Sequence, residues 1–315
     1  MVSKRNKAKK KQQKTKRAAI TAAKDYAQTI SVPDLGYTES NPPPFDRVVG
    51  SPISVPGFAD DIATNLTILD SATGAPVLQL FKPTSSQKKS KAIKSAEEGL
   101  KKYKEAQKAD KNKKKTRGQL HFGIWNEMGN FKYNFTRDTT HNDKSVPLLT
   151  WARDHSNDFL NHLIPLLHPD WKQNLSQRPA GIKYLRDFFQ DQVDLLPDYW
   201  STCTFFNKFT GSTHDDPQDT VPSFLFNFGA STMLRLTKYG IDVQIDPLDV
   251  VVFNTSNYHM TWDPEFSNQD GKDRWAFSAF MRDVFFRKEA PNNISDTRLQ
   301  TESHPPKKKF RAAAH

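Results

Sequence analysis

Two histidines and one aspartate stand out: His214 and Asp216 in Thr213-His214-Asp215-Asp216, just after a strand-like run, and His259 after a second such run. Two imidazoles and a carboxylate can take one face of a metal ion and leave three positions open, as non-haem Fe(II) oxygenases do for a co-substrate and oxygen. At strand periodicity His214 and Asp216 point to one side and Asp215 to the other. The same ligands also suit zinc or manganese. Each residue taken singly has an ordinary role: His214 in a loop, Asp216 capping a turn before Pro217, His259 on the surface beside Tyr258. Their order and strand context together predict a metal site.

Arg274-Trp275-Ala276-Phe277-Ser278 adds a second feature. On a strand, Arg274 and Ser278 lie four apart on one face. A guanidinium there grips a carboxylate through two parallel hydrogen bonds, and a serine hydroxyl adds a third. A keto acid that chelates iron at one end and carries a carboxylate at the other, such as 2-oxoglutarate, needs that pair. Arg282, further along the same segment, is an alternative or additional arginine. His121, His141, His155, His162 and His168 stand in helix or loop contexts without a completing carboxylate and are set aside.

The elements that must carry these residues follow from patterning. From Leu120 the composition turns apolar, with a strand over Leu120-His121-Phe122-Gly123-Ile124-Trp125, a helix within 151–167 and a second from Ile182 to Leu196, ended by Pro197. After Trp200, β-rich runs at 201–209, 222–229, 231–237, 239–245, 249–254 and 274–286 are broken at Gly211, Pro217, Gly240, Pro247 and Pro264. Helices followed by short strands predict an α+β fold: a double-stranded β-helix, a jelly-roll or cupin-like barrel, with flanking helices and the metal inside one mouth.

Upstream, the expected organisation is a basic disordered arm over 1–32, turning helical at Ala18 to Tyr26, and an extension over 33–84 that packs on the core. Pro42-Pro43-Pro44 marks looped chain there, and Thr67-Ile68-Leu69 and Val77 to Phe81 mark short strands. A Lys-rich insertion or linker over 85–117 should be helical, mostly solvated and projecting. The dioxygenase-like domain spans 118–290, and a basic tail runs over 291–315.

Charge is unevenly placed. Residues 1–17 and 88–117 carry +9 each against +11 for the whole chain, which leaves the rest at −7. A site in that acidic remainder that binds nucleic acid must borrow phosphate affinity from the basic arms; the arms' ordinary reading is solvated chain. The single cysteine, Cys203, excludes an internal disulfide and a cysteine-based zinc site, fits a reducing compartment, and reads as a buried strand residue. No membrane span or secretory signal is expected. Basic clusters at Lys9-Lys10-Lys11 and over 305–311 suit nuclear import.

From about 120 to 290 the chain resembles the Tet/JBP branch of Fe(II)/2-oxoglutarate dioxygenases, in its divergent fungal form. The likeness rests on Phe122-Gly123-Ile124-Trp125-Asn126-Glu127, Asn207-Lys208-Phe209, His214-Asp215-Asp216, Phe226-Asn227-Phe228-Gly229, Asp249-Val250-Val251-Val252-Phe253, His259 and the Arg274 to Arg282 segment. The resemblance implies Fe(II) on His214, Asp216 and His259, the distal carboxylate of 2-oxoglutarate on Arg274, a co-substrate contact from Asn207, O2 as co-substrate and stimulation by ascorbate. Relatives often carry a glycine pair where this chain has Ser231-Thr232, and Pro-Gly-Asp where it has Pro247-Leu248-Asp249. Leu248 therefore implies a different turn or a strained one.

The expected function is oxidation of a methylated base in DNA: 5-methylcytosine oxidation or N6-methyladenine demethylation, with the base flipped into the pocket and stacked on Phe209, Tyr258, Trp262 or Trp275. The alternatives are a hydroxylase of a protein or small molecule, supported by the acidic core, and a non-enzymatic nuclear binding module with a degenerate barrel, supported by Leu248.

Overall fold

The computed structural model describes residues 28–38, 47–49, 62–83, 86–110, 119–126, 133–189, 195–208, 211–263 and 274–286. The Ala18 to Tyr26 helix, Pro42-Pro43-Pro44, Phe209 and both terminal basic clusters lie outside them.

Thirteen strands are present among the described residues: β1 Gln28–Val32, β2 Arg47–Val49, β3 Ile62–Asp70, β4 Pro76–Pro83, β5 Gln119–Asn126, β6 Tyr133–Phe135, β7 Thr202–Asn207, β8 Ser223–Phe228, β9 Thr232–Leu236, β10 Ile241–Ile245, β11 Val250–Phe253, β12 His259–Trp262 and β13 Trp275–Phe280. The helices are α1 Ser86–Ala109, α2 Arg137–His141, α3 Ser145–Leu163, α4 Pro169–Ser176 and α5 Arg178–Phe189. The six strand runs expected after Trp200 each hold one strand. β12 is an addition, being too short to stand out as a run.

A nine-stranded sheet runs β1-β3-β4-β11-β8-β13-β7-β5-β6, and a four-stranded sheet runs β12-β9-β10-β2. All pairings are antiparallel except β1 with β3 and β2 with β10. The expected α+β class holds. The described residues form two sheets packed face to face in a jelly-roll-like arrangement. β3 and β4, expected as strands resting on the core, instead extend the large sheet, because β4 pairs with β11.

Alternation along each strand sorts side chains between two cores. Phe224, Phe226 and Phe228 of β8, Trp275 and Phe277 of β13 and Phe205 of β7 face the helices. Leu225, Val251, Phe253 and Ala276 face the small sheet, meeting Leu234, Leu236, Ile241 and Val243. Each large apolar side chain buried this way contributes roughly 1.5–3 kcal/mol.

α3 begins before the expected 151–167 span and buries Leu148, Ala152, His155, Phe159 and Leu163, one face at helical spacing. α1 departs from expectation: it is docked and does not project. Ala92, Ala96, Tyr103 and Ala106 enter the helix-side core, and Lys88, almost fully buried, reaches Asp158 at 2.7 Å. Gly99 makes this close approach possible, since a Cβ there would lie 2.2 Å from the Trp151 ring. The Trp151 indole also donates to the Ser95 carbonyl at 2.8 Å. Apart from Tyr103, the buried apolar stripe is alanine and glycine, which bury a helix with few of the large apolar anchors that announce burial in a sequence.

Candidate metal centre and its cavity

His214 stands in an isolated bridge rather than a strand. Its N–H donates to the His259 carbonyl at 3.0 Å, and the His259 N–H donates back to the His214 carbonyl at 2.8 Å. A pair that exchanges both bonds is held directly side by side, which leaves the imidazole centroids 4.5 Å apart. The Asp216 N–H is fixed on the Thr255 carbonyl at 2.8 Å, at the turn after β11. One ligand atom from each of His214, Asp216 and His259 lies within 4.8 Å of the others. Asp216 Oδ2 is 3.8 Å from His214 Nε2 and 3.9 Å from His259 Nε2.

Iron fits this donor set. The two Asp216–imidazole separations are below twice a metal–ligand bond of about 2.0–2.2 Å, and with all three ligand atoms within 4.8 Å a small inward turn of the imidazoles brings them onto one ion. The imidazoles are also aimed for it: Nδ1 of His214 lies 2.9 Å from the Ser212 carbonyl and Nδ1 of His259 lies 2.8 Å from the Asn257 carbonyl. A carbonyl only accepts, so Nδ1 carries the proton and the Nε2 lone pair faces the cluster. Burial, reinforced by His214, pushes His259 down to about 4, so it is neutral at pH 7.

The triad opens onto a cavity of about 330 Å³ between the two sheets. Arg274 and Ser278 line it, joined by Leu225 and Phe206 from the large sheet and Leu234 and Thr261 from the small one. His214 and Asp216 are half exposed at one end, whereas the Arg274 side chain is only 4% exposed. Burial lowers Arg274, opposed by the Asp263 carboxylate 3.4 Å from its Nη1.

Two expected co-substrate residues are not brought to the cavity. Asn207 is one position out of phase with Phe206 and Thr204, which line it, and lies opposite Trp275 in the pairing register. Arg282 pairs with Asp219 at 2.7 Å and lies over the Trp125 ring at 5.0 Å. Burial pushes Asp219 up to about 7, with Asp216 adding and Arg282 opposing.

One cavity residue, His121, and one buried residue that braces the nearby loop, Arg178, are not singled out by the sequence. His121, set aside there, lies on β5 in register with Thr204, and its Nδ1 is 2.9 Å from the Thr204 hydroxyl. Its signal was present: with Leu120, Phe122 and Ile124 buried on one face, strand alternation turns His121 and Trp125 to the other. Gly123 serves this strand at φ +105°, where a Cβ would lie 2.2 Å from the Ser201 carbonyl oxygen. Arg178, fully buried, had no sequence signal. It donates to the carbonyls of Tyr199 (2.8 Å), Thr220 (2.8 Å) and Pro222 (2.6 Å), tying α5 to the loop between Asp216 and β8.

Of the aromatic residues considered for stacking, Trp275 is in the helix-side core, and Trp262 donates to Asp242 at 3.3 Å with Arg235 over its ring. Tyr258, next to His259, is 38% exposed and packs on Tyr37 with centroids 4.8 Å apart.

No family model and no curated protein matches the sequence. Among solved structures, NgTET1 in complex with 5mC DNA matches at 14% identity over 86% of this chain and 90% of that one, with a TM-score of 0.51. YcfD, a ribosomal oxygenase from Escherichia coli, matches at 18% identity over 32% of this chain and 27% of its own, with a TM-score of 0.22. A 2OG-Fe(II) oxygenase family oxidoreductase from Burkholderia pseudomallei matches at 12% over 51% and 65%, with a TM-score of 0.26. The last two scores are too low to bear on the fold. The likeness to NgTET1 is one of architecture: this chain shares its fold and, on its own residues, sets a His-Asp-His cluster at the end of an inter-sheet cavity.

Proposed function

We propose that the protein is an Fe(II)/2-oxoglutarate-dependent dioxygenase that oxidises a methylated base in DNA. The observation that carries the reading is the joint placement, in one cavity, of two imidazoles with Nε2 aimed at one carboxylate and of a buried arginine beyond them. His214, Asp216 and His259 would hold the metal. Arg274 and Ser278 would hold the distal carboxylate. Iron and 2-oxoglutarate, with O2 as oxidant, would supply hydroxylation of a C–H bond, one oxygen atom going to the substrate and the other to the succinate formed as carbon dioxide leaves. The chain's part is to orient the ligands through the Ser212 and Asn257 carbonyls and to keep water off through Phe206, Leu225, Leu234 and Phe253.

The choice of a nucleobase rests on the shared fold with NgTET1 and on the basic segments of the sequence. A base flipped from a duplex would approach the half-exposed His214 and Asp216 end, where Tyr258 offers a stacking face. Hydroxylation of a 5-methyl group leaves the oxidised base; the same step on an N6-methyl group releases formaldehyde. The docked α1 is not a detachable arm, but its exposed Lys89, Lys94, Lys101 and Lys104 remain available to phosphates. Nuclear residence belongs to the same proposal, on the basic clusters near both ends.

A second reading, a hydroxylase of a protein or small molecule, is favoured by the net charge of −7 on the chain outside its two basic segments. Anaerobic addition of Fe(II) and 2-oxoglutarate is expected to give a weak visible metal-to-ligand charge-transfer band, lost in His214→Ala and weakened in Arg274→Ala. No band in the native chain overturns the dioxygenase reading in favour of a binding module. Mass spectrometry of methylated duplexes after turnover separates the substrates, since oxidised peptide with unchanged DNA supports the second reading.

A further inference from the structure

At the inner end of the cavity, the arginine expected to receive the co-substrate is already facing a carboxylate of its own chain. β12 runs from the metal ligand His259 to Trp262, and the next residue, Asp263, places Oδ1 3.4 Å from Arg274 Nη1. Asp263 is held there by a second contact: the buried Thr232 hydroxyl is 3.2 Å from the same Oδ1 and 3.0 Å from the Trp262 carbonyl. Arg274 is almost wholly buried and Asp263 is 27% exposed, so the aspartate comes from the solvent side onto a cation sealed inside.

We infer that Asp263 is a competing carboxylate that occupies Arg274 until a dicarboxylate displaces it, and so sets both the affinity and the selectivity of the co-substrate subsite. This rests on the 2-oxoglutarate reading of the cavity. A buried guanidinium without a counter-ion is strongly unfavourable, and Asp263 supplies one before any ligand arrives. Two carboxylates crowding one cation in a poorly solvated site repel each other, so the incoming carboxylate and Asp263 exclude each other. At 3.4 Å the Asp263 contact is long, whereas a two-pronged carboxylate pairing at normal hydrogen-bond length is stronger. A ligand anchored at both ends, on the metal and on Arg274, therefore wins. A simple anion without the second anchor does not. Thr232 is the residue that makes Asp263 competitive, since glycine there would offer no hydroxyl to hold Oδ1.

The test is a titration of the full-length, Fe(II)-loaded chain without oxygen, read by the charge-transfer band. Asp263→Asn is expected to tighten 2-oxoglutarate by about three- to tenfold, the size of a partly exposed ion pair. Thr232→Val should act in the same direction by less, with Asp263→Ala as a second variant should the buried threonine tolerate no change. Pyruvate, a 2-oxo acid without the distal carboxylate, should bind the native chain and Asp263→Asn alike. Unchanged or weaker 2-oxoglutarate binding in Asp263→Asn overturns the inference, and weaker binding would make Asp263 a positioning residue for Arg274. Equal tightening of pyruvate overturns it too, because the effect would then lie at the metal. A native chain with no band sinks the 2-oxoglutarate reading and this inference with it, whereas a native band with an unresponsive Asp263→Asn sinks this inference alone.

Discussion

The two faces of the nine-stranded sheet are built from the same strands, one residue out of phase, and differ in packing: one is aromatic and closed, the other aliphatic and interrupted by a cavity with polar groups. On β13, Trp275 and Phe277 go to the helices while Arg274 and Ser278 go to the cavity. On β7, Cys203 and Phe205 go one way and Thr204 the other. The helix face is a continuous aromatic packing: Phe226 stacks on Phe277 at 4.6 Å, and Phe228 on Trp275 at 4.2 Å. The cavity face leaves space and keeps polar groups in it. The helix face is packed throughout, whereas the opposite face combines an aliphatic core with the open cavity, and a substitution one position along a strand should change whether packing or the cavity is lost.

The sharpest way to break this contrast is at Phe226, which is 1% exposed and meets Phe277, Phe159 and His155. Phe226→Ala should destabilise the metal-free protein by about 3–5 kcal/mol, the usual loss for an emptied aromatic site. Urea unfolding measures it. A loss below about 1 kcal/mol would mean that the aromatic face does not hold the fold.

The strands after Trp200 were legible because glycines and prolines punctuate them and each buried face is strongly apolar. His214, Asp216 and His259 were legible as a set, but the device that joins them, a two-residue bridge outside any strand run, was not. Of the two outcomes expected at Leu248, a different turn or a strained one, the strained one is found: φ is +73°, in a turn whose Asp249 N–H reaches the Asp246 carbonyl at 3.2 Å. That is the position where a turn of this kind favours glycine. The docking of α1 was hard to see because Tyr103 is the one large apolar side chain among its buried positions, the rest of the stripe at Ala92, Ala96, Gly99 and Ala106 being alanine and glycine, whose burial releases little apolar area. His121 was missed for another reason: alternation was read for the apolar half of β5 and not carried to its polar half.

His155 sharpens the comparison from the helix side. It is buried among Trp151, Phe159 and Phe228, with Nδ1 2.8 Å from the Ser95 hydroxyl. Burial depresses its pKa from 6.5 to about 3. As pH falls below 6.5 the unfolded chain takes up a proton that the folded chain refuses, so stability present above pH 6.5 is lost progressively toward pH 3. The slope from this one group is at most about 1.4 kcal/mol per pH unit. The change in urea midpoint between pH 7 and 5 should differ between the native chain and His155→Gln by this contribution, the slope left in the variant including those of His259 and, with opposite sign, Asp219. An unchanged slope in that variant would remove His155 as a source of it.

The smallest expected effect on stability comes from the cavity face of the same sheet. Ser278 sits in register with Thr204 on one side and Leu225 on the other, and its side chain borders the cavity. Ser278→Ala removes one oxygen, leaves a methyl group of nearly the same shape and disturbs no aromatic contact. Unfolding free energy should therefore change by no more than about 0.5 kcal/mol, as for substitutions that touch no packing. The hydroxyl's value lies in the ligand: a hydrogen bond to a charged carboxylate is worth about 1.5–3 kcal/mol, so the variant should bind 2-oxoglutarate at least tenfold more weakly by the charge-transfer titration. Pyruvate tells whether the hydroxyl acts on the tail or on the keto acid, since only the second would weaken it as well. A destabilisation approaching that of Phe226→Ala would instead show that the cavity edge at Ser278 carries packing load, and the contrast between closed helix face and open cavity would not stand.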